Sequence, residues 1–222
     1  MYLFNCYKLS FKLTFFLLII VLNACSSQQA IKKGENTSSS IDSQTGQSFA
    51  FTGVDPMADI QINAEIKKNY KAVSLLNKQK KYSQAITLLN SIKLKYPQLS
   101  GPDYQKARIY FNQEKLEEAL KTINLSLKNN SRNYYSLNLK GIILKALGKF
   151  DQSKDVYLQA ISIYPAYPNT HLNLGILADV YLRELPLALL QYRQYMKLTS
   201  NKDKKVANWI LELERRIKRG NQ

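Results

Sequence analysis

The chain has 222 residues, with 32 Lys and Arg against 16 Asp and Glu for a formal net charge of +16, and it holds two Cys, one His and one Trp. One His excludes a His-based metal site, and two Cys exclude both a four-cysteine site and a dense disulfide framework. Apolar residues make up 45%, with 15 Tyr and 8 Phe, enough to bury the core of one large or two small domains, while eight Gly and six Pro argue against a loop-rich β protein. So large an excess of base biases a chain towards nucleic acid, anionic membrane or acidic partners.

The first segment carries Lys8 and Lys12 and no acid, followed by an almost unbroken hydrocarbon run from Leu13 to Leu22. About ten residues are too few to cross a bilayer as a helix, which takes roughly 20. A positive start, a short apolar stretch and the small Ala24 make a secretory signal. Leu22-Asn23-Ala24-Cys25 then resembles the lipobox of bacterial lipoproteins. The resemblance implies thioether lipidation of Cys25 and cleavage after Ala24, so that residues 1–24 leave and the membrane partner is met through a lipid anchor. Several acyl chains hold firmly where one is marginal. Ser26 in place of Asp after the cysteine favours the outer membrane by the enteric sorting rule, with the periplasmic face expected. Cys6 departs with the signal.

Residues 25–55 hold the lipidated cysteine and a Ser, Gln, Thr, Gly and Asn-rich stretch without helical or strand period, which reads as a flexible tether. Thirty such residues reach about 30 Å. Phe49, Phe51 and Val54 either dock on the first helix or belong to a solvated tail. Asp55-Pro56 is placed as an N-cap followed by Pro at N1, starting that helix.

From 56 to 200 the sequence repeats. Lys81-Tyr82-Ser83-Gln84-Ala85, Leu116-Glu117-Glu118-Ala119 and Phe150-Asp151-Gln152-Ser153 recur at 34 residues, and Leu185-Pro186-Leu187-Ala188 follows with one residue inserted. Chain segments near Pro97, Ser131, Pro165 and Ser200 close the units, about 66–99, 100–133, 134–167 and 168–200. A fixed period of this length means a stacked-repeat architecture. The last stretch, 201–222, places Val206, Trp209, Ile210, Leu213 and Ile217 on one helical face, which predicts a C-terminal capping helix.

These repeats resemble those of tetratricopeptide repeat (TPR) proteins, whose unit is a hairpin of helices A and B. The resemblance implies an all-α right-handed superhelix of about four hairpins. It assigns signature packing to Tyr82, Ala85, Ala107, Ala119, Gly141, Gly148, Ala160, Gly175 and Ala188, with Val73 at the small helix-A site of the first repeat and Ser153 where Ala is usual. It also implies a concave groove lined by helix A, here by Lys67, Tyr70, Asn77 and Lys78, then Tyr104, Arg108, Phe111 and Asn112, then Tyr135, Asn138, Ile142 and Lys145, then Leu172, Ile176 and Asp179. Several of these tyrosines are equally suited to packing on the adjacent repeat. The clamp that holds a C-terminal carboxylate in chaperone-binding relatives is missing: Tyr70 and Ser74, or Tyr104 and Arg108, stand at its first slots, and Gln105 or Leu139 where Asn belongs.

No Gly-rich phosphate loop, nucleophilic Cys or paired metal ligands occur, and His171 reads as a packing or surface residue. We therefore expect no enzyme, no cofactor, no small-molecule substrate and, for an exported chain, no nucleic acid. The expectation is a protein-interaction scaffold for envelope proteins, by analogy in pilus secretin or cell-wall complexes. The alternative is a binder of an anionic envelope polymer or lipid through its basic ends: residues 56–100 hold eight basic and two acidic residues, and 201–222 seven and three. A lysine-rich compositional habit accounts for the charge equally well.

Overall fold

The computed structural model describes residues 63–220. The signal and lipobox expected at 1–25, the tether expected to 55 and the helix start expected at Pro56 lie outside the described residues. Nine α-helices follow among the described residues: α1 Ala64–Lys78, α2 Tyr82–Lys95, α3 Gly101–Asn112, α4 Leu116–Asn129, α5 Tyr134–Ala146, α6 Phe150–Ile163, α7 Pro168–Ile176, α8 Leu185–Leu198 and α9 Lys204–Gly220, with a π-helical turn, Leu177–Leu182, continuing α7. The fold is all-α, four hairpins and a final helix. The first described helix begins at Ala64, where Asn63 is extended and its side-chain oxygen accepts from the Ile66 amide at 2.9 Å. Asn133 caps α5 in the same way, accepting from Ser136 N at 3.1 Å.

Each hairpin turns through one residue in the left-handed region: Lys80, Glu114, Gly148 and Arg183, with φ between 57° and 74°. Only Gly148 takes that conformation without a Cβ penalty. The following amide closes the turn, from Lys81 to the Leu76 carbonyl at 2.9 Å, Lys115 to Tyr110 at 3.0 Å and Lys149 to Leu144 at 2.9 Å. In the fourth hairpin Glu184 N reaches back one residue further, to Ala178 O at 2.8 Å. The inserted residue of the fourth repeat is thus absorbed between Gly175 and Arg183, and the π-helical turn is its physical form.

Helices A and B meet at reciprocal sizes. A Cβ added to Gly141 would lie 2.7 Å from Tyr157 Cδ1, and one on Gly175 would lie 2.5 Å from Tyr192 Cδ1. At the matching positions Ala107 shares a core cluster with Ile123, and Val73 with Leu89. Where helix A gives up volume, helix B fills it with an aromatic ring, keeping the core near native density. Ala85, Ala119, Ala160 and Ala188 are fully buried, while Tyr82 is half-buried against the first cluster and Gly148 lies exposed at its turn. Ser153 at the Ala position donates to the Gly141 carbonyl at 2.8 Å, so its buried hydroxyl is satisfied.

Units close at Tyr96, Asn130 and Tyr164, and in each the residue three positions on donates to that carbonyl: Leu99, Asn133 and Tyr167. Pro97 and Pro165 favour this geometry through the residue before them, yet Ser131 adopts the same turn. The capping helix begins at Lys204, after Asp203, whose carboxylate accepts from Lys205 N and Val206 N and from the Tyr195 hydroxyl. Val206 and Leu213 are buried and Trp209 packs on Tyr192 with ring centroids 5.5 Å apart.

Candidate partner-binding groove

The first helices of successive hairpins touch each other, α3 with α5 and α5 with α7, in addition to their own partners. Contact on that side places helix A on the inside of the curve, so its outward residues line a groove. The structure separates the groove candidates by depth. Tyr70, Tyr104 and Asn138 are buried, as is Leu172. They form the floor and the joints between repeats, not reachable surface, because neighbouring helix A residues close over them: Asn173 Nδ2 donates to Asn138 Oδ1 at 3.0 Å. Asn77, Arg108, Phe111, Tyr135, Ile142, Lys145, Ile176 and Asp179 are half-buried, and Lys67, Lys78 and Asn112 are exposed.

The tyrosines form one aromatic seam. Tyr134 lies 4.3 Å from Tyr135, stacks on Tyr164 at 4.5 Å and meets Tyr167 at 5.2 Å, while Tyr135 touches Tyr167 edge-on at 5.1 Å and Tyr104 at 6.4 Å. Of the two uses open to these rings, packing between repeats claims most, and Tyr135 keeps a partly exposed edge. Burial pushes the hydroxyls of Tyr134 and Tyr167 well above the ordinary tyrosine range. Tyr164 and Tyr167, at the repeat end, join the seam without belonging to the helix-A groove pattern; their signal in sequence is the Tyr-Pro that closes the third repeat.

Arg108 donates to Gln105 at 3.1 Å and lies 5.8 Å from the Tyr104 ring. Lys145 stands over the Tyr181 ring at 5.9 Å, and burial holds its ammonium below the usual lysine range. The buried Asn77 amide oxygen accepts no hydrogen bond among the described residues. At the far end the last groove position is occupied: Arg216 of α9 pairs with Asp179 at 2.6 Å. Asp179 therefore fastens the capping helix and is removed from the groove, a contact across 37 residues that helical spacing cannot reveal.

His171 is buried, with Nδ1 2.7 Å from Gln191 Oε1 and Nε2 2.8 Å from the Pro165 carbonyl, a packing role. A second polar joint was not apparent from the repeat pattern: Ser126 Oγ donates to the Ser100 carbonyl at 2.9 Å and meets Ser136 Oγ at 2.8 Å, and Asn133 Nδ2 donates to Ser100 Oγ at 2.9 Å, all four residues buried. Among the described residues no three His, Cys, Asp or Glu come together to hold a metal ion, and no helix is long and apolar enough to cross a membrane.

Comparison with known proteins agrees with this geometry. Tetratricopeptide repeat profiles match residues 70–98, 104–133 and 134–167. No curated protein sequence matches the chain. Among solved structures, Pseudomonas aeruginosa pilF is 18% identical with a TM-score of 0.61, each chain covered to 68%. MamA from Desulfovibrio magneticus RS-1 is 15% identical over 70% of this chain and 87% of its own, TM-score 0.58. The first TPR of Spaghetti (RPAP3), solved bound to the HSP90 peptide SRMEEVD, is 18% identical over 54% of this chain and 94% of its own, TM-score 0.51. Residues 70–98, 104–133 and 134–167 thus carry tetratricopeptide repeats, and the chain folds as such repeats do.

Proposed function

We propose that this chain is a protein-interaction scaffold, lipid-anchored in the bacterial envelope and held on the periplasmic side of the outer membrane through Cys25, whose groove recruits another envelope protein. The observation that carries the groove reading is its reachable lining: Phe111, Tyr135, Ile142 and Lys145, all half-exposed. Apolar edges suit the side chains of an extended or helical segment. Lipid sets location, the tether sets reach and the groove selects the partner; a pilus-secretin or cell-wall complex is the setting that the lipoprotein resemblance suggests.

Two measurements test this. Labelled palmitate should enter the wild-type chain and not Cys25→Ser, which should leave the membrane fraction; equal labelling of both would remove the anchor. A photocrosslinker placed at Phe111 should trap a discrete partner in envelope preparations, and Ile142→Arg should abolish the adduct. An adduct unchanged by Ile142→Arg would show that the groove is not the contact.

A further inference from the structure

The two basic ends of the chain differ once their ion pairs are drawn. At the C-terminal end Arg216 pairs with Asp179, Arg215 and Arg219 with Glu212, and Glu214 with Arg193. At the other end, α1, α2 and the turn between them hold eight lysines and, as their one acid, Glu65. Lys95 takes Glu65 at 2.7 Å and Lys93 takes Asp103 at 2.7 Å. Lys67, Lys68, Lys71, Lys78, Lys80 and Lys81 remain, all exposed and none within ion-pair distance of a carboxylate among the described residues.

Four of these share an arc of α1. At 100° per residue Lys67, Lys71, Ser74, Leu75, Lys78 and Lys68 span about 120° without an acid. The repeat register identifies this surface. Residues 34, 68 and 102 positions after Lys68 are Pro102, Ser136 and Thr170, and those after Leu75 are Ile109, Ile143 and Leu177, all buried. Ile109 packs into the core of the first hairpin. The face by which each later hairpin seats on the one before it is, in α1, open to solvent and lysine-rich, with Leu75 56% exposed in its midst.

We propose that this end face of the first hairpin docks on an anionic lipid bilayer, its lysines on the headgroups and Leu75 at the interfacial level, so that the groove stands in a set orientation to the membrane. Several lysines clustered with an exposed aliphatic side chain are the chemistry that adsorbs to anionic lipid. In sequence this hairpin is the first described element after Cys25, which stands 38 residues before Asn63. The 14 residues ahead of Asn63 contain two carboxylates, Asp55 and Asp59, too few to neutralise six lysines. The proposal deepens the envelope reading above and rests on its membrane location, not on the chemistry at Cys25.

The test is lysine acetylation footprinting of the full chain reconstituted in vesicles, with Lys128 and Lys197 as internal references. In phosphatidylglycerol-containing vesicles Lys67, Lys68 and Lys71 should acetylate about fivefold or more slowly than in pure phosphatidylcholine. The difference should vanish in about 0.5 M salt, where screening shortens to a few ångströms. Lys68→Glu with Lys71→Glu, folded by circular dichroism, should abolish the protection of Lys67. Equal rates in both vesicle types would overturn the proposal. So would protection that persists in detergent, which would assign the face to residues 49–62, or protection that appears only on adding an acidic protein. Cys25→Ser with unchanged protection would remove the lipid anchor and leave the docking face intact.

Discussion

At the residue scale, size reciprocity between helices A and B decides how close each hairpin packs. The resemblance to tetratricopeptide repeats marks Gly141 and Gly175 as places of close approach, but it does not name the rings that fill them, because Tyr157 and Tyr192 read as ordinary amphipathic core. Gly141→Ala should destabilise the domain. Overpacking against the buried Tyr157 ring costs about 1–3 kcal/mol, offset by about 1 kcal/mol of helix propensity. A melt showing no loss would mean the ring can move aside. The turn positions give the opposite sign. Glu114 holds φ 60° with a Cβ, so Glu114→Gly should raise stability by about 0.5–1 kcal/mol, or about 1–4 °C in melting temperature. Gly148→Ala, with nothing within 4 Å of the new Cβ, should lose about 1 kcal/mol through backbone conformation alone; urea unfolding of the two variants checks both signs.

At the element scale, the fourth repeat shows how a helix takes in an extra residue. The insertion is legible in the 35-residue step from Gly148 to Arg183, but its location is not, since a loop would absorb it as readily. The continuity of α7 into Leu177–Leu182 puts it inside the helix, where one wider turn keeps Leu177 and Ala178 buried and moves Val180 outward to 61% exposure. Deleting Val180 should restore the common register and convert the turn to α-helix, changing stability by less than about 1 kcal/mol, or roughly 2–4 °C. Deleting Ile142 from α5 should abolish cooperative melting, because every later core residue of that helix would rotate by about 100°. Thermal circular dichroism of the two deletions separates these outcomes; a collapse of the Val180 deletion would show that the π turn is required by its contacts. The capping helix was legible from its apolar stripe, whereas the Asp203 cap and the Arg216–Asp179 tie depend on where α8 and α7 lie.

At the scale of the whole molecule, the buried tyrosines couple stability to alkaline pH. Burial raises the hydroxyls of Tyr134, Tyr157, Tyr167 and Tyr192 above their ordinary range, and burial together with Asp203 pushes Tyr195 up to about 12. A group whose folded pKa is raised contributes stability that is complete below its unfolded value, near 10. That contribution is lost as pH climbs towards the folded value, because the unfolded chain ionises first. Melting temperature should therefore hold from neutral pH to about 10 and fall above it, which thermal scans between about pH 7 and 11.5 will read. A flat profile through about pH 11 would show that these hydroxyls reach water.

Local pattern alone determined the helices, the 34-residue period, the stacked hairpins and the end cap, since helical spacing, small residues and chain-closing turns are properties of neighbours in sequence. The resemblance to tetratricopeptide repeats nominated the groove by register. Only the tertiary structure decided which groove residues a partner can reach. Tyr70, Tyr104 and Asn138 are buried by residues of other repeats, and Asp179 is taken by an arginine of α9. The same holds for charge: both ends are basic in composition, yet only the structure shows Arg215, Arg216 and Arg219 paired at one end and six lysines of the first hairpin without an ion pair among the described residues. Pairing and depth depend on distances between segments far apart in the chain, and no count or period along the sequence carries those distances.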